Sequence, residues 1–279
     1  MRKTLLAASI FAAFALPTVS NAQTAPAAAP EAAKSPHTIT GNLGIFSEYR
    51  FRGISQTYSK PALQGGIDYS HESGFYVGNW NSNVSQGAGY PGGNIEMDFY
   101  GGWKKTWGDW GIDLGVIYYY YPGTNAGPGI LGTPVNNRTG NIATGHVDNT
   151  ELYIGGSWKF LSLKYNRSTG DYFSTPGTSG SGYLDLSANY DLGEGWGING
   201  HVGHLQFKNM TNGSYTDWKL GATKDFSGWV LGASYVDTNA KGDCSTAAVN
   251  QVYCFPNSSG TTTKDAGKST LVISVSKTF

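Results

Sequence analysis

Ile95-Glu96-Met97-Asp98-Phe99-Tyr100-Gly101-Gly102-Trp103 alternates at every step. In an extended chain Ile95, Met97, Phe99, Gly101 and Trp103 share one side, while Glu96, Asp98, Tyr100, Gly102 and Lys104 share the other. That is a β-strand with one apolar and one polar face. What decides the fold is that the pattern returns along the chain. In 151–160, Leu152, Ile154, Gly156, Trp158 and Phe160 oppose Glu151, Tyr153, Gly155, Ser157 and Lys159. In 182–191, Leu184, Leu186, Ala188 and Tyr190 oppose Asp185, Ser187, Asn189 and Asp191, and at the end Leu271, Ile273 and Val275 oppose Val272, Ser274 and Ser276.

Working outward, the alternation predicts twelve strands: 38–52, 61–70, 75–84, 95–105, 111–121, 149–159, 161–168, 182–191, 196–206, 214–224, 228–237 and 268–279. Their connections alternate in length. Short ones fall at 71–74, 106–109, 160, 192–195 and 225–227, and long ones at 53–60, 85–94, 122–148, 169–181, 207–213 and 238–267. Tight turns on one side and long loops on the other are the pattern of an outer-membrane barrel, and an even strand number puts both ends on the periplasmic side. A tilted strand needs about 9–11 residues to cross. In lipid every backbone N–H and C=O must be paired, so such a sheet has to close. The expected fold is all-β: an antiparallel transmembrane barrel over residues 38–279, with short periplasmic turns and long extracellular loops.

Composition agrees. Gly supplies 40 of 279 residues and aromatics 14%, with 18 Tyr, while charged residues are only 14%. Disordered chains are poor in aromatics, and Gly costs about 1 kcal/mol at each helix-interior position. Both disorder and a helical bundle are therefore disfavoured. Mean hydropathy is −0.31.

Met1-Arg2-Lys3, an apolar stretch from Leu5 to Leu16, and the small residues Ser20 and Ala22 read as a secretory signal over 1–22. The apolar stretch is too short to span as a helix. Residues 23–37, rich in Ala and Pro, read as a flexible periplasmic linker. Without Arg2 and Lys3 the chain holds 17 basic and 19 acidic residues, a net of −2. No basic stripe exists to meet a nucleic acid. Cys244 and Cys254 in an exported chain are expected to form a disulfide.

Trp103, Trp107, Trp110, Trp158, Trp196 and Trp229 all lie near the short turns. Indole prefers the headgroup level, so these mark one aromatic girdle. Tyr118, Tyr120, Tyr121, Tyr172 and Tyr235 are expected in the opposite one. A β-sandwich core would not sort Trp to one end. Phe279 closes an apolar face with Leu271, Ile273 and Val275. This terminal strand resembles the signal read by the barrel assembly machinery of the outer membrane, with Lys277 departing from it.

A stronger resemblance lies in the first three strands. GNLGIFSEYRFRGISQT (Gly41–Thr57), PALQGGIDY (Pro61–Tyr69) and GFYVGNWNSNV (Gly74–Val84) are similar to the opening of the TorF-family porins. The similarity covers about 45 residues. It implies an outer-membrane, channel-like barrel of undefined substrate, and it supplies no catalytic residues.

The polar faces identify the residues expected to line a lumen: Asn42, Glu48, Arg50, Arg52, Gln64, Asp68, Glu96, Asp98, Lys104, Asp113, Glu151, Lys159, Lys164, Asp185, Asp217 and Lys219. Arg or Lys facing lipid at the midplane costs about 2–4 kcal/mol, so these charges face in. They would either set a transverse field that sorts small polar solutes or form an ion-paired ladder that fills a narrow lumen. His201 and His204, three apart on a strand, point to opposite faces and so cannot share a metal. A barrel hydrolase would need Ser157 near His146, and the register puts them at different depths. Nothing calls for a cofactor or a metal. Asn137-Arg138-Thr139, Asn166-Arg167-Ser168 and Asn209-Met210-Thr211 read as loop and strand-end residues.

The sequence therefore predicts an outer-membrane porin, not an enzyme, that passes small hydrophilic solutes. Its partners would be outer-membrane lipid and the assembly machinery. The alternatives are a non-conducting structural or adhesive barrel working through loops 122–148 and 238–267, and last a barrel hydrolase. The oligomeric state, and whether a loop folds into the lumen, stay open at this level.

Overall fold

An alternating strand has backbone donors and acceptors along both edges, and closing the sheet pairs them all. The computed structural model describes residues 35–85, 90, 92–124, 146–245, 251–257, 259 and 261–279. Strand β1 is His37–Phe46; β2 (Arg50–Phe51) and β3 (Ile54–Ser55) form a small hairpin. Then come β4 (Ala62–His71), β5 (Phe75–Asn83), β6 (Ile95–Trp107), β7 (Trp110–Tyr120), β8 (Asp148–Trp158), β9 (Leu161–Ser168), β10 (Gly182–Gly193), β11 (Trp196–Gln206), β12 (Tyr215–Phe226) and β13 (Trp229–Thr238). A short pair, β14 (Cys254–Pro256) and β15 (Thr263–Asp265), precedes β16 (Thr270–Thr278). Twelve of these strands, all but β2, β3, β14 and β15, make one closed antiparallel barrel. It closes through β1, whose Ile45 lies opposite Leu63 of β4 and Val275 of β16. Among the described residues no helix is long and apolar enough to cross a membrane.

The wall is built inside out relative to a water-soluble protein. Leu63, Ile67, Val116, Leu152, Ile154, Leu184, Leu186, Leu220 and Ile273 are exposed on the outside. Gln64, Glu96, Asp98, Glu151, Asp185 and Asp217 are buried on the inside. The glycine content serves this wall. Inward tyrosines lie flat over glycines of the next strand, and a Cβ on Gly203 or Gly78 would collide with the ring of Tyr183 or Tyr100.

Eleven of the twelve barrel strands fall within two residues of their expected ranges. The first does not. Alternation carries on to Arg52, yet β1 stops at Phe46. Ser47 ends the ladder: its N–H donates to Ile273 O at 2.8 Å and its Oγ accepts from Ile273 N–H at 3.0 Å. The chain then leaves the wall and enters the lumen. Arg52 (φ 49°) and Gly53 (φ 78°) form the two-residue turn of the β2–β3 hairpin. Two successive positive φ values suit a type I′ turn. Gly53 is also required by space, because a Cβ there would lie 2.7 Å from Asp217 Cβ and closer still to Thr238.

Trp107, Trp110, Trp158, Trp196 and Trp229 are exposed at the short-turn end. Trp103 joins them, its indole donating to Ser73 O at 3.0 Å. At the other end Tyr118 stacks on Tyr120 at 6.0 Å, and Tyr235 meets Trp218 at 5.4 Å. Tyr121 and Tyr172, expected in that girdle, are buried instead. Inward loops give them protein to pack on, and both belong to the clusters that fill the outer lumen.

Cys244 and Cys254 are disulfide-bonded. The loop they belong to is not simply an outer surface: Val252, Tyr253 and Ala266 are buried against Ile54 and Tyr215. A bridge closing about ten residues contributes at most about 3 kcal/mol, and neither cysteine lies in one of the twelve barrel strands. The double variant Cys244→Ser, Cys254→Ser is expected to fold, seen as heat-modifiable gel migration. It should be cut faster by external protease between Val236 and Lys268. Equal cutting rates would show that the bridge does not hold the loop. His37, expected in the linker, opens β1. Residues 1–34, holding the expected leader and most of the linker, lie outside the described residues, as does Asn137.

Candidate functional site: the lumen and the loop that crosses it

The segment 47–61 runs from β1 across the barrel interior. β8 is the fifth strand around from β1 in the twelve-strand ring. Arg52 nevertheless reaches Glu151 on β8 with both nitrogens, Nη1 to Oε1 at 3.0 Å and Nη2 to Oε2 at 2.7 Å. Only a loop that crosses the lumen can do this. Tyr49 of the same segment donates to Glu96 on β6 at 2.9 Å and packs edge-on to Trp80 on β5. Arg50 pairs with Glu48 at 2.9 Å and donates to Gly53 O and Ala266 O at 3.0 and 2.8 Å. Ser55 N–H donates to Ala266 O, and Gln56 hydrogen-bonds Tyr90. Each contact satisfies a group that would otherwise be buried alone, which would cost about 1–3 kcal/mol. Tyr49, Ser55, Gln56 and Thr57 are fully buried.

Aromatic rings fill the space around this segment. Phe51 meets Tyr119 and Phe173 edge-on, and Tyr172 packs on Phe207. The long-loop half of the lumen is therefore packed. The short-turn half is not. A cavity of about 360 Å³ lies there, lined among others by Glu72, Tyr76, Lys104, Asp113, Ser157 and Lys164.

Most of the polar residues expected inside are inside, and they are paired close to home. Lys164 lies 3.8 Å from Asp113 and 3.6 Å above the Tyr153 ring. Tyr76 donates to Asp113 at 2.6 Å and hydrogen-bonds the Tyr153 hydroxyl. Asp68 accepts from Tyr100 at 2.6 Å, and Lys104 sits 5.1 Å from the Tyr76 ring. On the strands that follow, β10 to β12, His201 stands between Asp185 at 2.8 Å and Asp217 at 3.4 Å. Lys219 shares that strand face with Asp217, and Tyr183 donates to Asp217 at 2.9 Å. Glu96 and Asp98 are buried side by side on β6.

Four of the expected lining residues need correction. Glu48, Arg50 and Arg52 do not line the wall; they belong to the crossing loop, because β1 ends before them. Lys159 does not face the lumen either. It occupies the β8–β9 turn at φ 54°, half exposed, 3.9 Å from Asp109 of the neighbouring turn. A tight turn needs a residue there, and that takes Lys159 off the strand.

His201 and His204 do separate to opposite faces. His204 is exposed and meets Thr216 at 3.0 Å. His146 lies beside Thr124 at the long-loop end, whereas Ser157 lines the cavity at the far end of β8. They cannot form a hydrolytic pair. Sequence reasoning put Tyr100 and Tyr153 on the polar face but gave no role to the inward tyrosines, of which Tyr76, Tyr100, Tyr119 and Tyr183 donate to Asp113, Asp68, Glu151 and Asp217. The same two-residue period that placed Glu151 also placed Tyr153, and it was the available signal.

A family model described as "Bacterial protein of unknown function" (Gcw_chp) matches residues 30–279. None of the curated proteins matches the chain in sequence. Among solved structures, the chain is similar to a KdgM porin in complex with disordered oligogalacturonate, with 8% identity and TM-score 0.47, covering 86% of this chain and 98% of that one. It is similar to the NanC porin, with 10% identity and TM-score 0.45, over 87% of this chain and 99% of that one. It is also similar to the Pseudomonas putida toluene transporter TodX, with 10% identity and TM-score 0.45, over 88% and 89%.

Proposed function

The chain belongs to the Gcw_chp family of bacterial proteins of unknown function, and we propose that this member is an outer-membrane porin that passes small hydrophilic solutes through a lumen restricted by its first loop. One observation carries the reading. The barrel is apolar outside, and its polar interior opens into a cavity of about 360 Å³ at the short-turn end. An ion-paired ladder that merely filled the lumen would leave no such cavity among those charges. The TorF-family resemblance of Gly41–Thr57 supports the same reading, as does the signal pattern over 1–22 with its linker to 37. The lining would be Asp68, Glu96, Asp98, Lys104, Asp113, Glu151, Lys164, Asp185, Asp217 and Lys219, with Glu48, Arg50 and Arg52 forming the constriction.

With Lys159 outside, that set holds eight acids and five bases. A slight cation preference is expected in planar bilayers, read as the reversal potential across a salt gradient and fading as salt rises. Strong anion selectivity would contradict this lining. A non-conducting barrel that works through its outer loops is the second reading, favoured by the packed long-loop half. Absence of single-channel events from heat-modifiable, inserted protein would decide for it.

Phe279 would mark the chain for the assembly machinery. Its backbone pairs with Gly41 in both directions, at 2.8 and 3.2 Å, while its ring is exposed. Deleting Phe279 is expected to lower outer-membrane yield in cells severalfold with export unchanged. Normal yield would remove this role.

A further inference from the structure

The pocket around Arg52 is more elaborate than a latch requires. Glu151 is fully buried and takes the guanidinium with both oxygens. The carboxylate is itself held in place: Asn149 Nδ2 donates to Oε1 at 3.1 Å, and Ser168 Oγ fixes Asn149 at 2.6 Å. The Tyr172 hydroxyl accepts a further guanidinium N–H at 2.9 Å. The Tyr183 ring lies 4.3 Å from the guanidinium carbon. A planar fork cation over an aromatic face, with a two-point carboxylate, is the arrangement that distinguishes guanidinium from a spherical ion or an ammonium. Apart from Phe51 and Arg52, every one of these groups belongs to the wall or to another loop.

We propose that this pocket is a guanidinium-binding site, filled by Arg52 in the closed barrel and by a guanidinium-bearing solute when loop 47–61 withdraws. The reason is the state of Glu151 after withdrawal. A buried carboxylate that loses the cation bonded to both its oxygens is strongly destabilised. Any open state must therefore bring a cation to Glu151 or let water reach it. A solute carrying the same fork can replace Arg52 without that penalty, so entry of the solute favours opening. The inference names a solute class for the proposed porin and rests on that reading.

The test uses the full chain in detergent micelles with methylguanidinium chloride as probe. Arg52→Ala empties the pocket. Its thermal unfolding midpoint is expected to rise with methylguanidinium, with half-saturation on the order of 1 mM. Equal concentrations of sodium chloride should have no effect, and methylammonium should act roughly tenfold more weakly. The double variant Arg52→Ala, Glu151→Gln should not respond. A rise that sodium chloride matches, or that the double variant keeps, would overturn the site. If Arg52→Ala does not fold alone, refolding restored by methylguanidinium supports the proposal, and refolding that fails with it overturns the proposal. None of these readouts needs conductance. A barrel that binds the probe yet stays silent in bilayers would sink the channel reading and leave the site standing.

Discussion

Glu151→Gln is expected to release the crossing loop while leaving the barrel folded. The amide keeps the shape of the side chain and removes its charge. Arg52 would then sit buried beside Tyr172 and Tyr183 without the carboxylate bonded to it. Breaking a buried pair from one side costs about 3–5 kcal/mol. At about 1.4 kcal/mol per decade, that shifts the closed-to-open ratio of the loop by about two to three and a half powers of ten. Protease added from outside should cut within 47–61, and single-channel conductance should rise. Glu48→Gln is the control. Its partner Arg50 keeps two carbonyl acceptors, Gly53 O and Ala266 O, so its loop should stay seated. Equal release in both variants would mean that the Arg52–Glu151 pair is not the anchor.

Leu186→Arg and Ile154→Arg are expected to impair assembly, each by about 2–4 kcal/mol if it lies near the midplane. Both side chains point outward: Leu186 lies opposite Leu163 and Val202, and Ile154 opposite Leu114 and Tyr165. Their sequence neighbours on the inner face behave differently. Asp185→Asn keeps a hydrogen-bonding side chain for His201 and Ser187. Ser157→Arg projects into the cavity, where there is room for the longer side chain. The inward variants should reach wild-type heat-modifiable yield and the outward ones should not. Equal loss on both faces would refute a lipid-facing outer wall.

These two expectations rest on different kinds of information. The outward set, Leu152, Ile154, Leu184, Leu186 and Ile273, was legible directly. A strand has a period of two, and a register slip of one residue would turn every charge on it toward lipid. That penalty is paid strand by strand, so local sequence suffices to set it. The short turns, the Trp girdle and the even strand number follow from the same local rules.

The crossing loop obeys no such rule. SEYRFRG (Ser47–Gly53) continues the alternation of β1 without a break, and read alone it is a longer strand. What removes it from the wall is remote in sequence. Ser47 meets Ile273, Arg50 meets Ala266, Arg52 meets Glu151, and Tyr49 meets Glu96. The one local hint is Arg52-Gly53, a pair able to hold two positive φ values. Lys159 shows the same limit in miniature, since the alternation of β8 runs to it but the turn to β9 takes it.

The sequence by itself determined a twelve-stranded barrel, which face of each strand points outward, and most of the charges that lie within, Lys159 excepted. Only the tertiary structure decided that the long-loop half of the lumen is packed, and that Arg52 lies against Glu151, Tyr172 and Tyr183. Alternation is enforced one residue at a time by the difference between an apolar outer face and a polar lumen. The position of a loop inside a closed barrel is instead set by contacts among groups that only barrel closure brings together.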